Sequence, residues 1–301
     1  MPRLGVIFVQ YYPERYKNAF STLVEIVRLL EEWKVVIVKV DNKYEQQEAK
    51  LIDPSLIETG GDNSLYEFSG WMKGWETLKQ YQGQCDCYLF VTEAFLVYGD
   101  EYRDLVNSNL LQFLITESAV AGLVDPPPAD FKNLRLLDWQ LTHWVRSSFY
   151  FVPHPVILQM KTLVSIPDTA PFCDQHYEGR AFKLDSPLSH DYQVYLEQWL
   201  TRDWHSAFTL SDTTWERFYS KIRSILNEHA LTGRWQAMAV PVYDLHFLKA
   251  LGNKTKSTLS ELPPEKMEPY RHDLQLQKDY CAPSLAVRVV KKIGNLIGGR
   301  I

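Results

Sequence analysis

Positive charge is not in excess in this chain of 301 residues: 32 Lys and Arg stand against 37 Asp and Glu, a formal net charge of -5. That balance offers no global attraction for a phosphate backbone, so nucleic acid is not an expected partner. Cysteine is scarce. Cys85, Cys87, Cys173 and Cys281 are too few for a disulfide scaffold at this length. Cys85-Asp86-Cys87 sets one residue between its sulfurs, where zinc knuckles and redox pairs set two. Free thiols in a reducing compartment are expected. No apolar run approaches the length that spans a bilayer. The stretch from Met1 to Gln10 is too short and too soon polar for a secretory leader, so the expected location is cytoplasmic. Neither a Gly-x-Gly-x-x-Gly fingerprint nor a phosphate loop occurs, which weakens the case for other nucleotide-dependent α/β enzymes.

What is present is material for a large core. Hydrophobic residues make up 46% and charged residues 23%, a mix that suits a soluble globular protein of one large domain or two small ones. Leu4 to Val9 is an apolar run long enough for a buried strand and too short for a helix; Pro13 ends it. From Lys17 to Trp33, Phe20, Leu23, Val24, Val27 and Leu30 fall at helical spacing, with Glu25, Arg28, Glu31 and Glu32 elsewhere. Val35 to Val40 reads as a second buried strand, rich in β-branched residues, that stops at Asp41-Asn42. Gly60-Gly61-Asp62-Asn63 marks a turn, a helix is predicted from about Glu67 to Gln80, and Cys87 to Val91 gives the next buried strand. This order predicts an α/β sheet with helices on its faces.

The second half is less regular. Pro126-Pro127-Pro128 marks a loop, and Val145 to Val152 reads as an aromatic strand. Residues 166–192 carry Pro, Asp, Ser and His with little periodicity; a substrate-covering loop and a structural surface loop both fit. Phe218, Ile222, Ile225, Leu226 and His229 share one face of a later helix, which predicts a buried, hydrogen-bonded His229.

In open α/β sheets, ligands bind beyond the carboxyl ends of the strands. Three predicted strand ends carry polar groups there: Gln10-Tyr11-Tyr12, Asp41-Asn42 and Thr92-Glu93. Tyr11 and Tyr12 suit stacking on a nucleobase. An acid at Asp41 can accept hydrogen bonds from a ribose or a base, although Asp-Asn also ends many strands as a plain turn. An acid at Glu93 can hold a divalent ion beside a pyrophosphate leaving group, or can be an ordinary exposed charge. Arg146 suits a donor phosphate or a surface ion pair. His246 is a weak candidate metal ligand, set against a structural role. Trp71, Trp144 and Trp204 are candidates for a platform under the apolar face of a sugar ring, although most of the nine Trp should fill the core.

Order and spacing then bring a family into view. The series Val38-Lys39-Val40-Asp41-Asn42, Gly61-Asp62-Asn63, Glu67-Phe68-Ser69-Gly70-Trp71-Met72-Lys73-Gly74 and Tyr88-Leu89-Phe90-Val91-Thr92-Glu93-Ala94 resembles a GT-A fold glycosyltransferase. More narrowly, it is similar to the family 2-like and rhamnan-synthesis enzymes. Leu141 to Tyr150 resembles their central aromatic strand, and Leu226-Asn227-Glu228-His229 resembles their Glu-Asp or Glu-His helix motif. The resemblance covers residues 4 to about 235 and implies a GT-A-type, Rossmann-like mixed sheet flanked by helices; the domain is expected over residues 1–250, followed by a C-terminal extension or linker at 251–283. It implies transfer of a sugar from a nucleotide-diphosphate donor to a polysaccharide or lipid-linked glycan, with inversion. On this resemblance Asp41 would bind the donor nucleotide, with Tyr11, Asp62 and Asn63 nearby. Glu93 would fall where the metal-binding acid stands, and Glu228 would be the general base. The sequence departs from the pattern at Thr92-Glu93-Ala94, where Asp-x-Asp or Asn-Asp-Thr is usual, so the implied Mg²⁺ or Mn²⁺ is left one carboxylate. A non-catalytic nucleotide-sugar-binding or scaffold protein with this fold is the alternative.

The tail differs in charge. Residues 271–301 carry a net +4, and the remaining 270 residues carry -9. Within 284–301, Val289, Val290, Ile293, Leu296 and Ile297 can share a helical face beside Arg288, Lys291 and Lys292. Such a basic amphipathic helix suits peripheral contact with an anionic membrane, or packing on protein.

Overall fold

A computed structural model of the chain describes residues 1–203, 206–255, 258–262, 264–271 and 273–281. The buried runs read from sequence form its central strands. The strands are β1 (Arg3–Gln10), β2 (Lys34–Asp41), β3 (Lys50–Asp53), β4 (Leu56–Gly60), β5 (Cys87–Thr92), β6 (Val120–Asp125), β7 (Arg135–Leu136), β8 (Trp139–Gln140), β9 (Trp144–Pro153) and β10 (Val242–Asp244). Eight of them make one sheet in the order β10-β6-β9-β5-β1-β2-β4-β3, while β7 and β8 form a separate ribbon. The fold is α/β, as expected, with a mixed sheet.

Two connections make the sheet mixed. Residues 42–49 leave β2 at its carboxyl end, and β3 runs back down antiparallel to β4, so β4 rises parallel to β2. The proline-rich loop after β6 stays at the same edge, so β9 must run downward, antiparallel to both β5 and β6. Its first residues, Trp144 to Ser147, therefore lie beside the carboxyl ends of the parallel strands. β9 is bulged there: Val145 faces Val124 and Tyr150 faces Gly122, so β9 spends three more residues than β6 over the interval. Bulges of this kind re-aim side chains.

Helices cover both faces. Against one lie α1 (Ala19–Arg28), α3 (Gly99–Leu105), α4 (Ser108–Glu117) and α8 (Leu245–Thr255), around a core that includes Leu4, Phe8, Leu23, Tyr102, Phe149 and Phe247. Against the other lie α2 (Glu67–Gln82), α5 (His154–Met160) and the end of α7 (Trp215–Ala237), around Ile7, Val38, Trp71, Tyr150 and Trp235. α1 is shorter than the span from Lys17 to Trp33 suggests: turns at Leu30 and Trp33 follow it, and Glu31 and Glu32 face water. α2 sits very close to the sheet because Gly70 and Gly74 face it. A Cβ on Gly74 would lie 2.4 Å from Ile7 Cγ2, and one on Gly70 would lie 2.9 Å from both Val9 methyls.

A third cluster sits beyond the carboxyl edge. The start of α7, α6 (His190–Gln198), the β7–β8 ribbon and the segment from 166 onward pack together through Phe172, Cys173, Phe182, Tyr192 and Phe218. The irregular 166–192 segment thus carries its own buried apolar groups, as a structural loop does.

Past residue 250 the chain stays in the same body. That position falls inside α8, and Leu259, Leu262 and Met267 join the first core. After the short α9 (Pro264–Met267), α10 (Leu274–Cys281) places Gln277 on the backbone of Val242 and Asp244. The extension expected at 251–283 is therefore packed rather than a linker over its described residues. The basic amphipathic segment 284–301 lies outside the described residues, as does Trp204. All four cysteines are free thiols. Among the described residues, no helix is long and apolar enough to cross a membrane.

Candidate functional site

The parallel strands place their last residues along one edge: Gln10 of β1, Asp41 of β2, Gly60 of β4, Thr92 of β5 and Asp125 of β6. Strand order reverses between β1 and β5, since β2 and β4 extend to one side and β5 starts the other. Beyond such a switch point lies the crevice where open α/β sheets take ligands.

Glu93 stands in that crevice, and its role is set by the loop after β1. Its Oε1 accepts the backbone N–H of Tyr11 at 3.0 Å and of Tyr12 at 2.5 Å. Its Oε2 is buried with no hydrogen-bond partner among the described residues. Burial pushes the carboxyl pKa up, against the two backbone N–H groups that pull it down. Asp41 is also occupied: Oδ2 accepts Gln10 Nε2 at 2.7 Å and Oδ1 accepts the Lys43 N–H at 3.0 Å. The tyrosine rings pack edge to face with centroids 4.7 Å apart, and Lys43 Nζ lies within 6 Å of both.

Asn42 locks the neighbouring loop. It is buried, and its Nδ2 donates to Tyr66 O at 2.9 Å and to Asn63 Oδ1 at 3.3 Å. Tyr66, with φ +53°, and Asn63, with φ +52°, both occupy the left-handed half of φ space. That conformation is costly for a tyrosine and persists only where neighbours over-determine it. Asp62 is exposed and accepts Ser64 N and Ser64 Oγ, each at 3.0 Å. Desolvation opposes ionisation there, but hydrogen bonds from Ser64 and Ser69 outweigh it and hold the pKa below the usual value. Asp62 thus shapes the turn. Asn63 and Asp41 sit on the same edge.

The third part comes from α7, where successive residues point about 100° apart. Asn227 accepts the N–H groups of Ser165 at 2.7 Å and Ile166 at 2.8 Å and donates back to Ile166 O. His229 faces the opposite way, stacked on Trp144 at 4.0 Å and bonded through Nδ1 to Tyr192 Oη at 2.6 Å. Burial pushes its pKa down to about 3, so it is neutral, as a core histidine. Between them, Glu228 looks into the cleft.

The β9 bulge delivers Ser147 to that carboxylate. Glu228 Oε2 accepts the Ser147 N–H at 2.8 Å and contacts Ser147 Oγ at a still shorter distance. Ser147 Oγ also lies 3.2 Å from Glu67 Oε1, at the start of α2, and Glu67 is bonded further by Ser224 Oγ. Desolvation pushes the Glu228 pKa up to about 7, with the charges of Glu67 and Asp125 adding to it and the Ser147 hydrogen bonds opposing it. The side chain still keeps 24% of its surface open, which gives a ligand access and tempers that shift. A carboxylate of this kind can take a proton near neutral pH.

Other expectations resolve differently. Arg146 is held by Asp125 in a two-pronged pair, both contacts at 2.7 Å, which is the ion-pair reading of that residue. Trp71 and Trp144 are buried and offer no platform to a sugar; Trp71 Nε1 donates to Val91 O. His246 sits on α8 with Nε2 3.6 Å from Glu101, both side chains about half exposed. Asp244 caps that helix by accepting the His246 and Phe247 N–H groups, which directs His246 to the surface. No group of three or more His, Cys, Asp or Glu suited to a metal occurs among the described residues. Glu93 Oε2 is a single oxygen beside an occupied Asp41, so the donor set does not form a ready divalent-cation centre.

Comparison with protein-family models and with curated proteins finds no match for this chain. The site therefore rests on its own geometry.

Sequence reasoning passed over Ser147, Asp125 and the roles of Glu67 and Asn227. Asp125 had a signal: it ends the apolar run Ala119 to Val124 just before Pro126, as Asp41 ends β2. Basic groups on α7 were also missed. Lys221 Nζ lies 5.1 Å from the Tyr66 ring, and Arg223 donates to Ser64 O at 3.2 Å. A groove of about 450 Å³ lies elsewhere, at the other end of β2 and β4, lined by Phe20, Val24, Trp33 and Leu56. Arg28, Glu31, Asp53 and Ser55 also line it, but it lies at the amino ends of β2 and β4, away from the carboxyl edge where open α/β sheets take ligands and where we place the site.

Proposed function

We propose that the chain is an inverting glycosyltransferase that moves a sugar from a nucleotide-diphosphate donor to a polysaccharide or lipid-linked glycan. The observation that carries this reading is the set of polar groups gathered at the carboxyl edge around the β1–β5 switch point. An aromatic pair beside Lys43 follows β1, Asp41 and Asn63 follow on its β2–β4 side, and a partly open carboxylate tuned toward neutral pH, Glu228, lies against β9 on the other side. The mixed sheet is also what a GT-A fold calls for.

In this reading Tyr11 and Tyr12 pack on the base, Asp41 accepts a ribose or base hydrogen bond, and Lys43 meets phosphate charge. Glu228 Oε1 removes the acceptor hydroxyl proton as the oxygen attacks the anomeric carbon. The bond to the diphosphate breaks on the opposite face, and the electron pair leaves with the nucleotide. Glu93 and the occupied Asp41 do not form a ready centre for Mg²⁺ or Mn²⁺, so in this reading Lys43 meets the charge of the leaving group. A lipid-linked acceptor would suit the basic segment 284–301, and loss of binding to anionic vesicles on its deletion is the matching test.

Thermal stabilisation by a panel of nucleoside diphosphates, with and without Mn²⁺ or Mg²⁺, tests the site. Stabilisation by one nucleotide supports it; none with any nucleotide overturns it. Donor turnover lost in Glu228→Gln, with nucleotide binding kept, supports the base. The engagement of Glu93 by backbone N–H groups favours one second reading, a nucleotide-sugar-binding protein without turnover. Binding with no transfer to any acceptor would favour it.

A further inference from the structure

Ser147 presents a hydrogen-bond count that two ionised carboxylates cannot satisfy. Its hydroxyl owns one proton and touches two acids, Glu228 Oε2 and Glu67 Oε1. It can donate to one. With both acids ionised, the other contact sets acceptor against acceptor in a half-buried cleft. The count closes when Glu228 carries the proton on Oε2, donates it to Ser147 Oγ, and lets Ser147 donate onward to Glu67.

The groups around Glu228 leave Glu67 as the partner able to enforce this order. From β6, the charge of Asp125, which also disfavours ionised Glu228, is offset by its two-pronged pair with Arg146 of β9. From α6, Tyr192 and Tyr195 are phenols whose ionisation burial opposes, and Tyr150 of β9 is another. On α7 itself His229 is neutral, and its Nε2 lies 3.9 Å from Glu228 Oε1, too far for a hydrogen bond. Glu67 lies at the start of α2, where backbone N–H groups favour negative charge, and Ser224 Oγ contacts both its oxygens.

We propose that Glu67 is a positioning residue for Glu228: through the single hydroxyl proton of Ser147 it favours the protonated form of Glu228 and so sets the pH above which Glu228 becomes a base. The proposal rests on the reading of Glu228 as the base of the proposed transfer. Above that pH, Glu228 gives up its proton, the Ser147 O–H turns to Oε2, and Oε1 is left open to an acceptor hydroxyl. In Glu67→Gln the amide N–H₂ donates to Ser147 Oγ instead, which aims the hydroxyl proton at Glu228 permanently.

The test needs no substrate. Carboxyl carbons of the full chain labelled with ¹³C-glutamate are titrated by NMR, with Glu228 assigned from its loss in Glu228→Gln. In Glu67→Gln the Glu228 midpoint is expected to fall by roughly one pH unit or more. In the Ser147→Ala background the same substitution is expected to produce less than about half that shift, because the connection is cut. Equal shifts in both backgrounds would mean plain charge repulsion and overturn the relay, and no shift in either would do the same. If Glu67→Gln does not fold by near-UV circular dichroism, Glu67→Asp takes its place. It keeps the charge but draws back from Ser147, so a lowered midpoint supports the relay and an unchanged one overturns it. A chain with no transferase activity still titrates, so failure of the relay and failure of the proposed function remain distinguishable.

Discussion

The carboxylate of Glu93 accepts the backbone N–H of Tyr12 at 2.5 Å across 81 residues of sequence, and the N–H of Tyr11 beside it. It is thus an anchor for the loop after β1. Glu93→Ala would leave both N–H groups unpaired at the switch point, and is expected to destabilise the fold by about 2–4 kcal/mol. Glu93→Gln keeps an acceptor oxygen, with an expected loss of less than about 1.5 kcal/mol. Urea denaturation of the two variants checks this; equal losses would mean that the anchoring bonds contribute little.

Glu228 gives stability a direction with pH. Its pKa rises from 4.5 to about 7 on folding, so between those values the folded chain binds more protons than the unfolded one. The slope of stability with pH is then negative: the contribution is full below 4.5 and is lost as pH rises toward 7. Relative to wild type, Glu228→Gln should therefore gain about 1–3 kcal/mol between acidic and mildly alkaline conditions. Denaturation midpoints of both proteins across that range measure it. Parallel curves would contradict a raised Glu228.

Asn227 is fully buried and makes four hydrogen bonds, three of them to Ser165 and Ile166. Asn227→Ala leaves two N–H groups and a carbonyl of that loop without partners, so a loss of about 2–4 kcal/mol is expected. The loop should also open locally, seen as faster amide exchange at Ser165 and Ile166. Unchanged exchange there would show that the loop holds without its anchor.

These three residues also mark where the sequence was legible. β1, β2, β5 and β9 announce themselves because strands buried on both faces need continuous apolar runs. β3 does not, since all four of its residues are exposed at the sheet edge and carry no such run. The line of strand-end acids was readable because parallel strands must end together. The jobs of those acids were not. Glu93 is defined by two backbone N–H groups, and Glu228 by a serine 81 residues away that a bulge turns toward it. Neither partner has a side-chain pattern that local periodicity can report.

Gly74 decides how close α2 lies to the sheet, and two opposing effects set the outcome of replacing it. Alanine is the better helix former by about 1 kcal/mol, which favours Gly74→Ala. Its methyl, however, would sit 2.4 Å from Ile7 Cγ2 and 2.9 Å from Val40 Cγ2, both on buried strands. Neither neighbour is the loose end of a flexible side chain, so the helix itself must lift, and overpacking of this kind costs about 1–3 kcal/mol. The balance is a net loss of up to about 2 kcal/mol. Because α2 carries Glu67 at its start, about two turns before Gly74, the lift also draws Glu67 away from Ser147. The Glu228 titration midpoint should then move in Gly74→Ala although no charged group has changed, and an unmoved midpoint would show that α2 yields only around the new methyl.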